Sequence, residues 1–511
     1  MEDRVQNRRD APRVTSRRFL TTLAWVLPVW VLLYALCFRF CIVRDPTVVP
    51  VSYKQLLLEH VEGPRILIEG GSNGLHAFDP HLVEQLTGYP TLILSDHAGA
   101  SLSDKVQRLR RYAHPGDIVL LPLEWNYYHA PDLNENHLRS LMDRGRSYYY
   151  SLPLWQQLRR AFAMPLSVVA SEGIHAVKQQ SETYADEMQR LQLFENHWVQ
   201  RAPNGQAVLG PNLERLPEDS DCDGYILPEF EGGPIPFTQA FEGSLRQLAR
   251  LQREKGLTVV LLPPVVVGAN CYERNGAHLE VMLEQVRRLC VELELRHLFD
   301  FHRYAMPSEF LLDTHFHVTA EGSEVVTPLV MGDLVEAGWI VPRPRNEAHR
   351  VVDQIPRILE SLRMDLLRRK LPLWQGNPTT VVDGGIREQF YFGDDWHVPE
   401  PWGRWARVSP ARVIVRPDPE LEYKGVYLNA QYFNGSQQTR VWLNGHRIAE
   451  QDFTQNHRIE LEKPLREFLD GEPLAVFTFE SSEAVSPFEI EGSSDKRQLK
   501  FGLHSLELLR E

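Results

Sequence analysis

A serine set among glycines, Gly70-Gly-Ser-Asn-Gly74, ends a short apolar run that starts at Ile66. A buried strand that stops in a glycine-rich turn presents such a serine at the carboxyl edge of a parallel sheet, where open α/β folds bind their ligands. Far along the chain, Asp313-Thr-His-Phe-His317 puts an acid and two imidazoles within one short stretch. A carboxylate against one ring nitrogen fixes the tautomer and stabilises the imidazolium, while the other nitrogen removes a hydroxyl proton. The chemistry these types could do together is nucleophilic acyl transfer at Ser72. His315 lies nearer to Asp313 in sequence, but an extended loop turns it away from His317, and His317 is the candidate base. Alone, the Gly-Gly-Ser turn fits a phosphate cradle equally well; the pairing with Asp313 and His317 gives it a reaction.

Positioning these groups requires a wound α/β domain, and the pattern supplies one. Ile66–Glu69, Tyr89–Leu94, Gly116–Pro122, Leu257–Pro264 and Leu298–Phe301 read as short buried strands. Helical stretches alternate with them at Asp79–Gly88, Ser103–Tyr112, Thr238–Lys255, His278–Glu294 and Ser323–Ala337, the signature of parallel winding. Residues 129–235 break the rhythm and read as a helical insertion. From about Thr379 the pattern changes to short alternating strands punctuated by Asn434-Gly435 and Asn444-Gly445, which predicts an antiparallel β-sandwich. The expected organisation is a basic tail (1–18), a transmembrane anchor (19–40), a tether (41–61), an α/β domain (62–340), a connector (341–375) and the sandwich (376–511).

The anchor is expected from FLTTLAWVLPVWVLLYALCF, an uncharged run from Phe19 to Phe38 long enough to cross a bilayer as a helix. Six arginines precede it, so the positive-inside rule puts the N-terminus in the cytoplasm and the bulk of the chain outside it. A cleaved signal peptide is the alternative, but Leu36-Cys-Phe38 makes a poor small-x-small cleavage site. The net charge of −13 argues against a nucleic-acid partner. Of five cysteines, Cys222, Cys271 and Cys290 fall in the exported part, where one disulfide is permitted and the sequence does not choose the pair. No spacing implies a metal or a cofactor.

Gly70-Gly-Ser-Asn-Gly74 resembles the first block of the SGNH (GDSL-like) hydrolase and acyltransferase superfamily, and Asp313 with His317 resembles its last, over roughly residues 62–340. That resemblance implies an SGNH-like three-layer domain with Ser72 as nucleophile, His317 as general base and Asp313 as its orienter. It also implies an oxyanion hole from the Ser72 N–H, Gly99 in Ser95-Asp-His-Ala-Gly-Ala100, and Asn126 in Leu123-Glu-Trp-Asn126. The family's usual Gly-x-Asn-Asp string is absent there. Glu124 reads as a solvated or salt-bridged strand-end carboxylate, with a direct catalytic role as the alternative, Asp96 and His97 as shaping the Gly99 turn, and His76 as structural. Trp396, Trp402 and Trp405 offer flat faces that could stack on sugar rings or fill a core, and their region resembles β-sandwich modules of bacterial polysaccharide-processing proteins. Anchor, SGNH-like domain and sandwich together resemble exopolysaccharide O-acetylation proteins of the bacterial inner membrane. This implies a periplasmic enzyme with a polysaccharide substrate and a membrane-bound acyltransferase partner. A carbohydrate O-acetylesterase and a non-catalytic polysaccharide-binding scaffold are the alternatives.

Overall fold

The computed structural model describes residues 16–42, 50–96, 100–129, 149–150, 152–171, 174, 184–195, 204, 237–265, 276–298, 303–344, 351–374, 379–380, 389–433, 437–453, 457–462, 466–469, 471–481 and 484–510. The chain divides into two compact units, Met1–Glu182 with Gln192–Leu359, and Thr183–Leu191 with Glu360–Glu511.

In the first unit five short strands form one parallel sheet: β1 (Ile66–Ile68), β2 (Thr91–Ile93), β3 (Ile118–Pro122), β4 (Thr258–Leu262) and β5 (Arg296–His297), in the order β2-β1-β3-β4-β5. Residues of β1, β2 and β3 are buried throughout, which explains the unbroken apolar composition of β1 and β3. The fifth strand, expected at Leu298–Phe301, forms instead at Arg296–His297; Leu298 still donates its N–H to the Leu261 carbonyl at 2.9 Å. From Leu298 the ladder reaches back only to His297 and Arg296, whose polar side chains hid them, and buried Leu295 before them closes the preceding helix with its N–H on the Cys290 carbonyl.

The connecting helices begin and end where the sequence offers caps. Helices α1 (Ser16–Ile42) and α2 (Pro50–His60) precede the sheet, and the five-residue α3 (Ser72–His76) follows β1 directly. Helix α4 (Pro80–Thr87) starts on Asp79, whose carboxylate accepts the N–H groups of His81 and Leu82, and stops at Gly88 in the left-handed region. Helix α5 (Leu102–Tyr112) is capped by Ser101, α6 (Asn126–His129) follows β3, and α7 (Leu154–Ala163) falls in the insertion. Helix α8 (Gln239–Lys255) runs from a Thr238 cap to a left-handed Gly256. Helices α9 (Gly276–Leu293) and α10 (Ala320–Glu336) complete the domain, the latter capped by Thr319. One apolar core on the sheet joins Ile66, Ile68, Ile93, Leu120 and Val260 to Val326, Val330 and Leu334 of α10.

Among the described residues no helix is long and apolar enough to cross a membrane. Within α1, Tyr34 and Phe38 pack into a cluster with Tyr149, Leu152, Met164, Val168 and Val169, and the Tyr34 hydroxyl bonds the carbonyls of Ala161 (2.7 Å) and Met164 (2.6 Å). The anchor expected over 19–40 thus gains no support from the described residues.

The second unit carries two sheets. In the first, β13 (His446–Phe453), β12 (Gln437–Leu443), β15 (Ala475–Ser481), β10 (Ala411–Pro417) and β6 (Leu373–Trp374) lie side by side, with β8 (Phe390–Tyr391) also on β10. In the second, β14 (His457–Glu462), β11 (Tyr423–Tyr432), β16 (Phe501–Arg510) and β7 (Thr379–Thr380) follow one another, with β9 (Arg404–Trp405) also on β16. All pairs are antiparallel except β6 with β10. Asn444 (φ 46°) and Gly445 (φ 83°) make the expected tight turn between β12 and β13. The Asn434-Gly435 turn lies outside the described residues. Inward residues alternate along β15, and Phe477, Phe479, Val413, Val426, Leu428, Phe501 and Leu503 belong to one core.

Candidate active site

The order β2-β1-β3 places the carboxyl ends of β1 and β3 side by side, at the point where the winding of the sheet reverses. Open α/β sheets hold their ligands there. The segment after β1 carries Ser72; the segment after β3 carries Glu124 and Asn126.

The glycines before and after Ser72 are there because neighbours come close. A Cβ on Gly71 would lie 2.6 Å from the carboxyl carbon of Glu124, and one on Gly74 would lie 2.9 Å from Pro122 Cγ and against the Ser95 hydroxyl. The turn is thereby pressed onto the end of β3 and enters α3 at once. Ser72 is half-buried; its Oγ donates to Glu124 Oε1 at 3.4 Å, and the Asn73 N–H donates to the same oxygen at 2.7 Å. Glu124 is 2 % exposed, so the solvated or salt-bridged carboxylate read from sequence is instead buried on the serine turn. Burial pushes its carboxyl above the usual carboxylate range, opposed chiefly by hydrogen bonds from backbone N–H groups.

Residues 311–318 form a closed loop. Leu312 N–H bonds the His317 carbonyl at 2.8 Å, Thr319 N–H bonds the Phe310 carbonyl at 2.8 Å, and Leu311 bridges Val318. Inside it, His317 Nδ1 meets Asp313 Oδ1 at 2.7 Å, and both side chains reach solvent. His315 is buried. The Asn73 side chain ties this loop to the serine turn: its Nδ2 donates to the carbonyls of Phe316 (3.1 Å) and Val265 (2.9 Å), and its Oδ1 accepts from Val265 N–H at 3.2 Å. The His76 ring, one helical turn after Ser72, lies 4.4 Å from the His317 ring, centre to centre. Burial first, then the neighbouring His317, push His76 down to about 3, so it stays neutral. Among the described residues no hydrogen bond joins Ser72 to His317.

Beneath the turn lies a buried ionic group that sequence reading did not anticipate. Arg108 grips Glu69 through two nitrogens (2.8 and 2.6 Å), Lys105 pairs with Asp96, and Arg108 also reaches Asp96 at 3.3 Å. Lys54 of α2 donates to the Ser95 carbonyl, and burial lowers it to about 7. Arg108 and Lys105 set two cations against the two carboxylates Glu69 and Asp96, in a place where an unpaired charge is expensive. Asp96 also bonds Gly70 O through its N–H at 3.2 Å, so the group stiffens the serine turn.

The oxyanion-hole candidates fare unevenly. Gly99 lies outside the described residues. Asn126 opens α6, its Oδ1 is buried without a partner, and among the described residues no hydrogen bond joins it to Ser72. Cys290 is buried with a free thiol pushed up to about 12 by burial, while Cys222 and Cys271 lie outside the described residues.

In the sandwich, Trp396 is 6 % and Trp405 5 % exposed, so neither offers a sugar a free face. Trp396 sits in the core and donates to the Arg412 carbonyl at 2.7 Å. Trp402 is half-buried edge-on to Trp405, 4.7 Å between ring centres, with its N–H on Glu400 at 2.7 Å. The contacts that sequence does not reveal are long-range: Asn73 meets Val265 across 192 positions, and only the glycine before Ser72 hints at Glu124.

No family model matches the chain, and no curated protein does. Among solved structures it aligns with a family two carbohydrate esterase from Clostridium thermocellum in complex with cellohexaose (9 % identity, TM-score 0.17, 24 % of this chain and 32 % of that one). It also aligns with an acetyl xylan esterase from the rumen bacterium Butyrivibrio proteoclasticus (11 %, 0.16, 27 % and 33 %) and with a family 35 carbohydrate binding module from an environmental isolate (8 %, 0.15, 23 % and 90 %). The chain spans about a third of the length of those two esterases. Likenesses at these scores carry no argument about what this chain does.

Proposed function

We propose that the protein is a serine acyl-transfer enzyme, an O-acetyltransferase of an exopolysaccharide working through an acyl-serine at Ser72. The observation that supports it most is the Asp313–His317 pair, delivered to the serine turn by the Asn73 side chain. With Nδ1 held by Asp313, His317 keeps Nε2 for proton transfer. Rotation of the Ser72 hydroxyl away from Glu124 lets His317 take its proton as Oγ attacks the acyl carbonyl. The same imidazole protonates the leaving group, then deprotonates the acceptor hydroxyl that collects the acetyl group. Water in the acceptor's place makes this centre an esterase.

In this reading the chain is held at the outer face of the bacterial inner membrane with its bulk in the periplasm, where a membrane-bound acyltransferase hands it acetyl groups. The support is the uncharged run Phe19–Phe38 and the exposed Trp25, Leu27, Trp30, Leu32 and Leu33 of α1. The bond from Ser72 to Glu124 favours a second reading, a polysaccharide-binding scaffold without turnover. Mixing the full chain with p-nitrophenyl acetate and an acetyl-free oligosaccharide decides between them. Transfer to the sugar that Ser72→Ala abolishes supports the first reading, acetate release alone makes the protein an esterase, and neither leaves the scaffold.

A further inference from the structure

Glu124 has more contact with the candidate nucleophile than any residue the sequence singled out for that purpose, and one of its oxygens has nothing to do. Oε1 accepts from Asn73 N–H and the Ser72 hydroxyl, whereas Oε2 is shut away from water with no hydrogen-bond partner. The carboxyl lies against Gly71, where no Cβ could fit, in the same turn that carries Ser72. An oxyanion formed on an acyl group attached at Ser72 needs donors in that neighbourhood.

We infer that the Glu124 carboxyl, rather than the Asn126 amide, supplies the side-chain donor of this centre, with a proton on Oε2 that hydrogen-bonds the oxyanion formed at Ser72. The inference rests on the acyl-serine reading above. It accounts for both oxygens: Oε1, the carbonyl oxygen of the acid, accepts twice, and Oε2–H awaits its acceptor. An ionised carboxylate would leave a buried charged oxygen unsatisfied and set a negative charge beside a forming one. The groups facing Glu124 agree with a neutral acid. From α3 come a hydroxyl and an N–H, from α6 the buried Tyr128, and from α5 the Lys105 ammonium, already engaged by Asp96 and Glu69. Burial raises the carboxyl, and the distance-weakened Lys105 opposes it less than the backbone N–H bonds do.

The proton balance is simple. Ser72 Oγ bonds to the acyl carbon, its proton passes to His317, and the carbonyl electron pair becomes the oxyanion. Glu124 keeps its proton throughout. Collapse of the intermediate expels the leaving oxygen, which takes the proton from His317. Keeping the proton on Glu124 gives the test a sign. A required acid is active below its pKa and lost above it, so the acylation rate falls on the alkaline side; a general base at this position makes the rate rise there instead.

The test follows acylation of the full chain by p-nitrophenyl acetate against pH in wild type, Glu124→Gln and Glu124→Ala. Glutamine keeps a donor that does not titrate, so E124Q should acylate within about tenfold of wild type and lose the alkaline decline. E124A should fall by ~10²–10³. Equal rates in wild type and E124A overturn the inference while leaving the acyl-serine standing. So does an E124Q loss as deep as that of E124A together with a wild-type rate that rises with pH. If E124A fails to fold, the E124Q profile decides alone. No acyl-serine in the wild type at any pH overturns the reading on which the inference rests.

Discussion

The turn after β1 and the tryptophan-rich stretch of the sandwich both carry residue types suited to carbohydrate chemistry, and the fold treats them oppositely. Ser72 is left half-open at the sheet edge, pressed there by close contacts at Gly71 and Gly74. Trp396 is taken into the core, sealed by Phe392, Phe479 and Phe501, and Trp405 is buried with Trp402 beside it. A glycine string constrains geometry, because it records where a backbone must approach something else. A tryptophan records only that a large apolar ring is wanted, inside or out.

The sharpest way to break this comparison is by substitution on each side. Ser72→Ala should lower acyl transfer at least ~10⁴-fold with the melting temperature unchanged, measured with an activated acetyl ester. Trp396→Ala should do the reverse: about 3–5 kcal/mol less stability in denaturant unfolding of the C-terminal unit, with acylation of Ser72 intact. A Trp396 variant of normal stability would place that ring on the surface after all.

Gly71→Ala sharpens the comparison at the turn itself. Its new methyl meets the Glu124 carboxyl, and a loss of about 1–3 kcal/mol is expected. A methyl added at Gly243 in α8 meets nothing within 4 Å, so Gly243→Ala should stabilise by up to ~1 kcal/mol, and equal effects at the two positions would contradict the close approach. The pH dependence adds a finer probe. His76 is lowered from 6.5 to about 3, so the unfolded chain takes up its proton first as the pH falls. Stability from this group is complete above about 6.5 and is lost on the way down to 3, by up to ~1.4 kcal/mol per pH unit. His76→Gln should flatten that part of the curve in thermal melts.

Local order was legible because its signals are local. Asp79 and Thr238 announce helix starts, Gly88 and Gly256 announce stops, and the all-apolar runs of β1 and β3 announce burial on both faces, whereas the Ser101 and Thr319 caps start their helices ahead of the expected Ser103 and Ser323. The strand His446–Phe453 escaped notice because Arg447 and Glu450 are exposed on a hairpin that only the Asn444-Gly445 turn betrays. The Ser72, Asp313 and His317 side chains could be named from type and order, but the extended loop expected to separate His315 from His317 is a turn, in which the His317 N–H bonds the Thr314 carbonyl at 3.3 Å. Glu124, Asn73 and Lys54 could not be assigned, since what they do depends on partners brought near by the sheet order. A glutamate after a strand is usually solvated; this one is enclosed because two glycines let the neighbouring turn close over it. The apolar run near the N-terminus was legible as a helix, but not the docking of Tyr34 and Phe38 against Tyr149 and Met164.

The most direct measurement is a mass spectrum of the Ser72 peptide after brief exposure of the full chain to an activated acetyl ester and acid quenching. The account predicts one acetyl group on Ser72, absent in Ser72→Ala and strongly reduced in His317→Ala. An unmodified Ser72, or an acetyl group that persists elsewhere when the serine is gone, would contradict it.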